Sequence, residues 1–505
     1  MAPSRNDNAT RRELLVRAAG ATAALTVGGE VLASAARAAT AKPSHALGFR
    51  SLSDEVRLPH VPVEGDLPGW LSGVLLRNGP AQFEVGERTF NHWFDGLAML
   101  HAFAFGRGRV SYANRFLRSS AYEAWKRDGV IAYSEFGTDP CRSAFSGVSS
   151  IPILAPVPNA NVSIEALART FVAHTEIPIP VRFGKDTLKT LGVTAQAPAG
   201  RLGTVHPHHD PATGERFSYE VDLAPPYGYR VLAERKGKRR VLATIPRDKP
   251  CYMHSFALTE RHVVLIEQPF VVDPASFFTG APRPIVEHYG WDASLPARAL
   301  VIDRRGGGLR ATIELEPMFV FHNINATERD GQVLLDVCAY ADAEVVDSLA
   351  IKRLRAGRRS LPRVRPRRIT LDLAKRRGTI RDLADVDFEL PRVRYEQVNQ
   401  RPYRYAYGIG VRPGSAFSDQ LVKLDAARES HTTWHERGCF PGEPIFVARP
   451  GARGEDHGVL LSVVLDAEHR RSFLLVLDAR TMTERARASV PHHIPFGFHG
   501  LHVPR

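Results

Sequence analysis

The chain has 505 residues, of which 44% are hydrophobic and 24% charged, with a formal net charge of +13. That balance is ordinary for a folded globular protein and excludes both a disordered chain and a bundle of membrane spans. The length allows several domains, yet all-β chains routinely run this long as one unit.

The first residues stand apart. In NATRRELLVRAAGATAALTVGGEVLASAARAATAKPS, Arg11 and Arg12 follow a Thr, an Ala/Gly-rich apolar run comes next, and small residues at Ala36-Arg37-Ala38 and Ala39-Thr40-Ala41 suit cleavage. This is the pattern of a twin-arginine export signal over residues 1–41, with a periplasmic or extracellular destination. Gly20, Gly28 and Gly29 argue against a core helix there. Residues 42–505 show no obvious linker and read as a single domain, without a later run of about 18 apolar residues that could cross a membrane. Cys141, Cys251, Cys338 and Cys439 have no metal spacing; Cys338, inside the apolar VLLDVCAY, reads as a buried small hydrophobe.

After the signal, short β-rich runs separated by turns dominate. VSIEALARTFVAHTE (162–176), SFALTERHVVLIEQP (255–269), NINATERDGQVLLDVCAY (323–340) and LLSVVLDAEHRRSFLLVLDAR (460–480) each read as strand, polar turn, strand. Recurrent hairpins predict an all-β sandwich, barrel or propeller. Seven blades would take about 66 residues each, against ~40–45 in a minimal blade, the surplus forming loops. A ring closes only if the two chain ends share a blade, which would explain why the chain ends on the aromatic PFGFHGLHVPR rather than a polar tail. The basic stretch IKRLRAGRRSLPRVRPRRITLDLAKRRGTIRDL suits an anionic partner or, preferably, a solvated hairpin edge guarded by Lys and Arg. Nucleic acid is not a partner expected of an exported protein.

Four of the twenty histidines stand at or just before β-like runs: His206 in TVHPHHDPATGE, His254 in YMHSFALTE, His322 in FVFHNINATE and His499 in PFGFHGLHVP. In a propeller, strand starts converge on the axis, so four imidazoles could meet there and bind a metal. A His of this kind taken alone is more often a satisfied, partly buried side chain than a ligand, and among His206, His208 and His209 spacing does not choose.

These segments, together with GVLLRNGP, NHWFDGLAMLHAF, EFGTDPCRSAF and FELPRVRYEQVNQRPYRYAYG, resemble the carotenoid cleavage oxygenase family, in the right order over almost the whole mature chain. The family includes apocarotenoid oxygenases, lignostilbene dioxygenases and the retinoid isomerase. The resemblance implies a seven-bladed β-propeller with a helical and loop cap over an axial metal site. It implies non-haem iron(II) held by His206, His254, His322 and His499, with Glu176, Glu389 and Glu455 as outer carboxylates. It also implies cleavage by O2 of a conjugated C=C bond in a carotenoid or apocarotenoid, giving two carbonyl products. Four imidazoles suit iron and leave two of six positions open, and carboxylates on the far ring nitrogens would set their tautomers.

Two positions refine the substrate. Stilbene-cleaving members carry Lys before the first outer glutamate, where this chain has Thr175, which weakens the stilbenoid alternative. Fourteen residues before Glu176, where many oxygenases have Thr and the isomerase Val, stands Val162. A large apolar substrate implies an apolar tunnel and contact with a membrane surface; Phe277 and Phe278 in VVDPASFFTGAP suit a lip or an ordinary packed loop. Two further readings are a zinc hydrolase, disfavoured because Pro211 stands where HPHHDP would need a final His, and a non-catalytic propeller, which would not need all four histidines.

Overall fold

A computed structural model of the chain describes residues 44–139, 159–167, 170–194, 197–277, 279 and 283–505. The export signal assigned to residues 1–41, Cys141 and Phe278 lie outside these residues. All four hairpins expected from the sequence are present: Ser163–Leu167 pairs with Thr170–His174, Ala257–Leu258 with His262–Glu267, Phe319–Arg329 with Gln332–Tyr340, and Gly458–Asp466 with Arg471–Asp478. The third turns through Asp330 and Gly331, both at positive φ (52° and 79°). That is the two-residue geometry that matches strand twist, and it is why Asp-Gly stands there.

The unit His45–Arg505 arranges its sheets as seven blades. In chain order blade one is built on Gly73–Gln82, Leu97–Gly106 and Arg109–Phe116. Blade two spans Ser163–Val193, blade three Arg201–Pro246, blade four Ala257–Leu315, blade five Phe319–Asp382, blade six Glu389–Trp434 and blade seven Cys439–Ser489. Inner and central strands such as Gly73–Gln82, His262–Glu267 and Arg471–Asp478 are buried almost throughout rather than alternately, because neighbouring blades cover both faces of each sheet, whereas outer strands such as Arg109–Phe116 and Leu309–Leu315 alternate. Val264, Ile266 and Val301 of blade four pack with Val333, Leu335 and Ile369 of blade five, and Leu75 and Phe103 of blade one with Leu461 and Leu474 of blade seven.

The ring is closed twice. Val63–Gly65, from the N-terminal side, adds to the outer edge of blade seven with Val63 opposite Ala488. Gly500–Val503, the C-terminal strand, adds to the inner edge of blade one with Arg77 opposite Gly500 and Val74 opposite Val503. The approach to that last strand explains the glycine of PFGFHG: a Cβ on Gly497 would lie 2.7 Å from the Asn78 carbonyl oxygen, and Gly79 meets the Gly497 backbone directly. With that clearance, Phe498 N donates to Asn78 O (3.1 Å), Asn78 N to His499 O (3.0 Å) and His499 N to Val162 O (3.1 Å). The tail is thus woven into blades one and two.

The cap over the axis is short and mixed. A 3-10 turn, Trp93–Asp95, and the helices Glu344–Ser348 and Ile351–Ala356 supply part of it. The basic stretch divides between this cap and the two outer strands of blade five, Arg365–Asp372 and Arg377–Asp382. There Arg365 pairs with Asp385, Arg367 with Asp382 and Glu316, and Arg368 with Asp336.

Candidate metal centre

The inner strand of each blade begins near the axis, and the site is built at those beginnings. His206 stands two residues before His208–Asp210 in blade three, His254 three before Ala257–Leu258 in blade four, and His499 one before Gly500–Val503 in blade one. His322 lies inside Phe319–Arg329 of blade five, where the register shifts between Val320 and Asn323. A bulge of this kind re-aims a side chain. The four histidines converge with their ligand atoms all within 4.8 Å of one another. His206 Nε2 is 3.2 Å from His254 Nε2, and His322 Nε2 is 3.1 Å from His499 Nε2. The ambiguity in HPHHDP is resolved: His208 is bound between Tyr395 Oη and Phe256 O, while His209 faces Glu165.

Behind three of the imidazoles stands a carboxylate. Glu176 Oε1 lies 2.9 Å from His254 Nδ1, Glu389 Oε2 2.6 Å from His322 Nδ1, and Glu443 Oε1 2.8 Å from His499 Nδ1. The third carboxylate corrects the sequence expectation, which named Glu455. Glu455 sits in the turn before Gly458–Asp466, where it accepts backbone N–H bonds from Arg404 (3.0 Å) and Tyr405 (2.6 Å) at the start of a blade-six strand. Glu443 is fully buried between the two inner segments of blade seven, Cys439–Pro441 and Ile445–Ala448. It is also bound by Arg77, by Arg392 (2.7 Å) and by Gly500 N (3.0 Å). Among the described residues no carboxylate reaches His206.

Ionised carboxylates only accept, so each of these three rings must carry its proton on Nδ1 and present a bare Nε2 lone pair to the centre. Burial reinforces neutrality: it pushes His499 down to about 3 despite Glu443, lowers His254 despite Glu176, and lowers His206 well below the usual imidazole range. Burial alone would raise the Glu443 carboxyl, but Arg392, His499 and Arg77 outweigh it and hold the group ionised. The result is two lone pairs 3.1 Å apart at His322 and His499, an arrangement that repels unless a cation lies between them. The donor set therefore fits a divalent metal with a preference for imidazole.

The site opens on a cavity of about 1340 Å³, its mouth included, walled by apolar and aromatic side chains such as Trp93, Phe94, Phe136, Phe321 and Leu349. Val162 and Thr175, both singled out in the sequence, line it beside Glu176 and His499. Phe277 packs instead on the His288 ring at 4.2 Å. The sequence reading missed Tyr252, whose hydroxyl donates to Glu176 Oε1 at 2.5 Å and lies 3.4 Å from His254 Nδ1. Its position two residues before His254, alternating to the same side of an extended segment, was the available signal.

Fold and site together define a β-propeller with four axial imidazoles that could hold a metal ion, at an apolar cavity. The family model described as retinal pigment epithelial membrane protein (RPE65) matches residues 49–504. Carotenoid isomerooxygenase of Galleria mellonella is 34% identical over 493 residues, covering 90% of this chain and 96% of that protein. The β,β-carotene 15,15′-dioxygenase of Mus musculus is 33% identical over 506 residues, covering 88% of each. Among solved structures, a variant of the Synechocystis apocarotenoid oxygenase superposes with a TM-score of 0.83 at 27% identity, covering 92% of this chain and 100% of that one. A cobalt-substituted form of that enzyme gives 0.82 at 28% identity, covering 91% and 98%. The chain belongs to this family of carotenoid oxygenase enzymes.

Proposed function

We propose that the protein is a non-haem iron(II) dioxygenase that cleaves one conjugated C=C bond of a carotenoid or apocarotenoid and leaves a carbonyl on each fragment. The observation that carries this reading is the convergence of four imidazoles, three of them backed by glutamates, at an apolar cavity. Iron(II) held by His206, His254, His322 and His499 would supply activation of dioxygen, one atom of which ends on each carbon of the broken bond.

The chain's own groups do the rest. Glu176, Glu389 and Glu443 hold the rings in the tautomer that faces inward and offset the charge of the ion. Trp93, Phe94, Phe136 and Phe321 present ring faces and edges to a flat conjugated chain and keep water out. No acid–base pair is required, so selectivity for one double bond lies in positioning alone. The stilbenoid alternative is not favoured by Thr175, which offers no amine to a substrate phenol. Export by the twin-arginine route and collection of the substrate at a membrane surface complete the proposal.

Metal analysis of the mature protein, purified without added metal or a His tag, tests the reading, followed by product analysis under ¹⁸O₂. Expected are iron near one per chain and two labelled carbonyl fragments. Tightly held zinc, or folded protein without metal and without polyene turnover, would overturn it.

A further inference from the structure

One carboxyl of the cavity is not spent on the metal centre. Glu135 borders the main cavity and separates it from a small apolar one lined by Val85, Phe90, Leu97 and Trp125. Among the described residues its side chain takes part in no hydrogen bond or ion pair. Its neighbour Asp95 is the opposite case: that carboxylate accepts from Thr138 Oγ1 (2.6 Å), Gly137 N (3.1 Å) and His92 N (3.3 Å). Two nearby carboxyls in a dry wall do not both ionise. Burial raises Asp95 to about 6, its three donors holding it down, whereas Glu135, with no donor among the described residues, is pushed well above the carboxylate range by burial, with Asp95 adding to it, and keeps the proton. A protonated carboxyl is a hydrogen-bond donor.

Its place in the wall matters as much as its state. The next residue, Phe136, has its ring 5.3 Å from Phe94 and 5.7 Å from Tyr252, and Tyr252 is bonded to Glu176 at the metal centre. Glu135 is therefore fixed relative to the imidazoles by a chain of packed rings. An apolar tunnel alone lets a polyene slide, whereas one donor at a set distance fixes which end enters and which bond lies over the imidazoles.

We propose that Glu135 recognises an oxygenated end of the substrate, so that the preferred substrate is an apocarotenoid with a terminal carbonyl or hydroxyl rather than a hydrocarbon carotene. This rests on the cleavage reading above for its choice of polyenes. The test uses wild type, Glu135→Gln and Glu135→Leu with three probes: an apocarotenal, its alcohol, and the hydrocarbon of equal polyene length. Affinity is read on metal-free protein by quenching of tryptophan fluorescence, and cleavage on iron-loaded protein by product analysis.

Wild type should bind the oxygenated probes about 10- to 100-fold more tightly than the hydrocarbon, the range set by leaving a buried donor unpaired. In Glu135→Leu that ratio should fall toward one and the cut should spread over several bonds, while Glu135→Gln, which keeps a donor, should retain most of both. An equal ratio in wild type and Glu135→Leu, or no preference in wild type, overturns the assignment. Discrimination without any turnover supports Glu135 and refutes the dioxygenase reading; turnover without discrimination does the reverse.

Discussion

Substituting Glu443 is the sharpest test of how the site is held. Its side chain is wholly buried and meets Arg77, Arg392, His499 Nδ1 and Gly500 N. Both arginines are themselves tied to the tail, Arg77 to Phe498 O at 2.9 Å and Arg392 to Gly500 O at 2.6 Å. Glu443→Ala leaves two guanidinium groups uncompensated, one of them buried, and breaking such a pair costs about 3–5 kcal/mol. Loss of the carboxylate behind a ligating His should also weaken metal binding about 10–100-fold. Glu443→Gln restores shape but not charge, so it should keep part of the stability and still lose affinity. The control is Glu455→Gln, whose amide oxygen can go on accepting from Arg404 N and Tyr405 N, at a cost of about 1 kcal/mol or less. Chemical denaturation of the metal-free forms, with a competition titration using a chromophoric chelator, separates the two effects. Equal metal affinity in Glu443→Gln and wild type, with a loss in Glu455→Gln, would refute the assignment of the third carboxylate.

His254→Ala and His322→Ala should each lose bound metal and turnover with an unchanged far-UV spectrum; metal retained at one per chain in both would remove them from the ligand set. The pH dependence follows from His499. Its folded value of about 3 lies below that of an unfolded imidazole, so below pH 6.5 the unfolded chain binds a proton that the fold refuses, and stability falls as pH drops toward 3. Between pH 6 and 4 the metal-free wild type should lose stability more steeply than His499→Gln by about 1.4 kcal/mol per pH unit; parallel slopes would show that this imidazole is not buried neutral. Gly497→Ala should destabilise by about 1–3 kcal/mol through its clash with Asn78 O and lower metal affinity, since it lifts His499; a neutral result in both measurements would argue against the close crossing. Thr175→Lys should slow polyene cleavage and raise affinity for hydroxystilbenes, and a wild type that already prefers the stilbenes would sink the substrate assignment.

Where the sequence was legible, the reason is local. Asp330-Gly331 favours a turn, and the apolar runs on either side of it favour strands. The four histidines stand at or near strand starts, a feature that survives in one dimension, but that position left each of them open and the family resemblance singled them out. Glu176 and Glu389 were legible only through that resemblance, on the motifs VAHTE and FELP. Glu443 was not. It stands between two short segments that pair with one strand, at 439–441 and 445–448, and nothing in FPGEPIF marks it as facing an imidazole 56 residues further on. Glu455, in the acidic turn GEDHG, was matched to the third carboxylate by the same resemblance, yet it accepts from the backbone N–H groups of Arg404 and Tyr405. Charge partners across a ring are set by blade order, which no local pattern encodes.

The distribution of the site over the ring has a consequence for how the fold and the chemistry depend on each other. Blades three, four and five give His206, His254 and His322, the closing strand of blade one is led by His499, and blades two, six and seven give Glu176, Glu389 and Glu443. Every blade thus contributes one group to the centre. A cation bound by the four imidazoles would stabilise the closed ring by mass action, about 2.7 kcal/mol at a free concentration one hundred times its dissociation constant, and would do so at the strand that closes it. The converse also holds: anything that loosens the final strand moves a ligand. Arg77 and Arg392 are the physical link, since each holds both Glu443 and a carbonyl of the tail, so the charge that sets the His499 tautomer and the contacts that close the propeller cannot be varied independently.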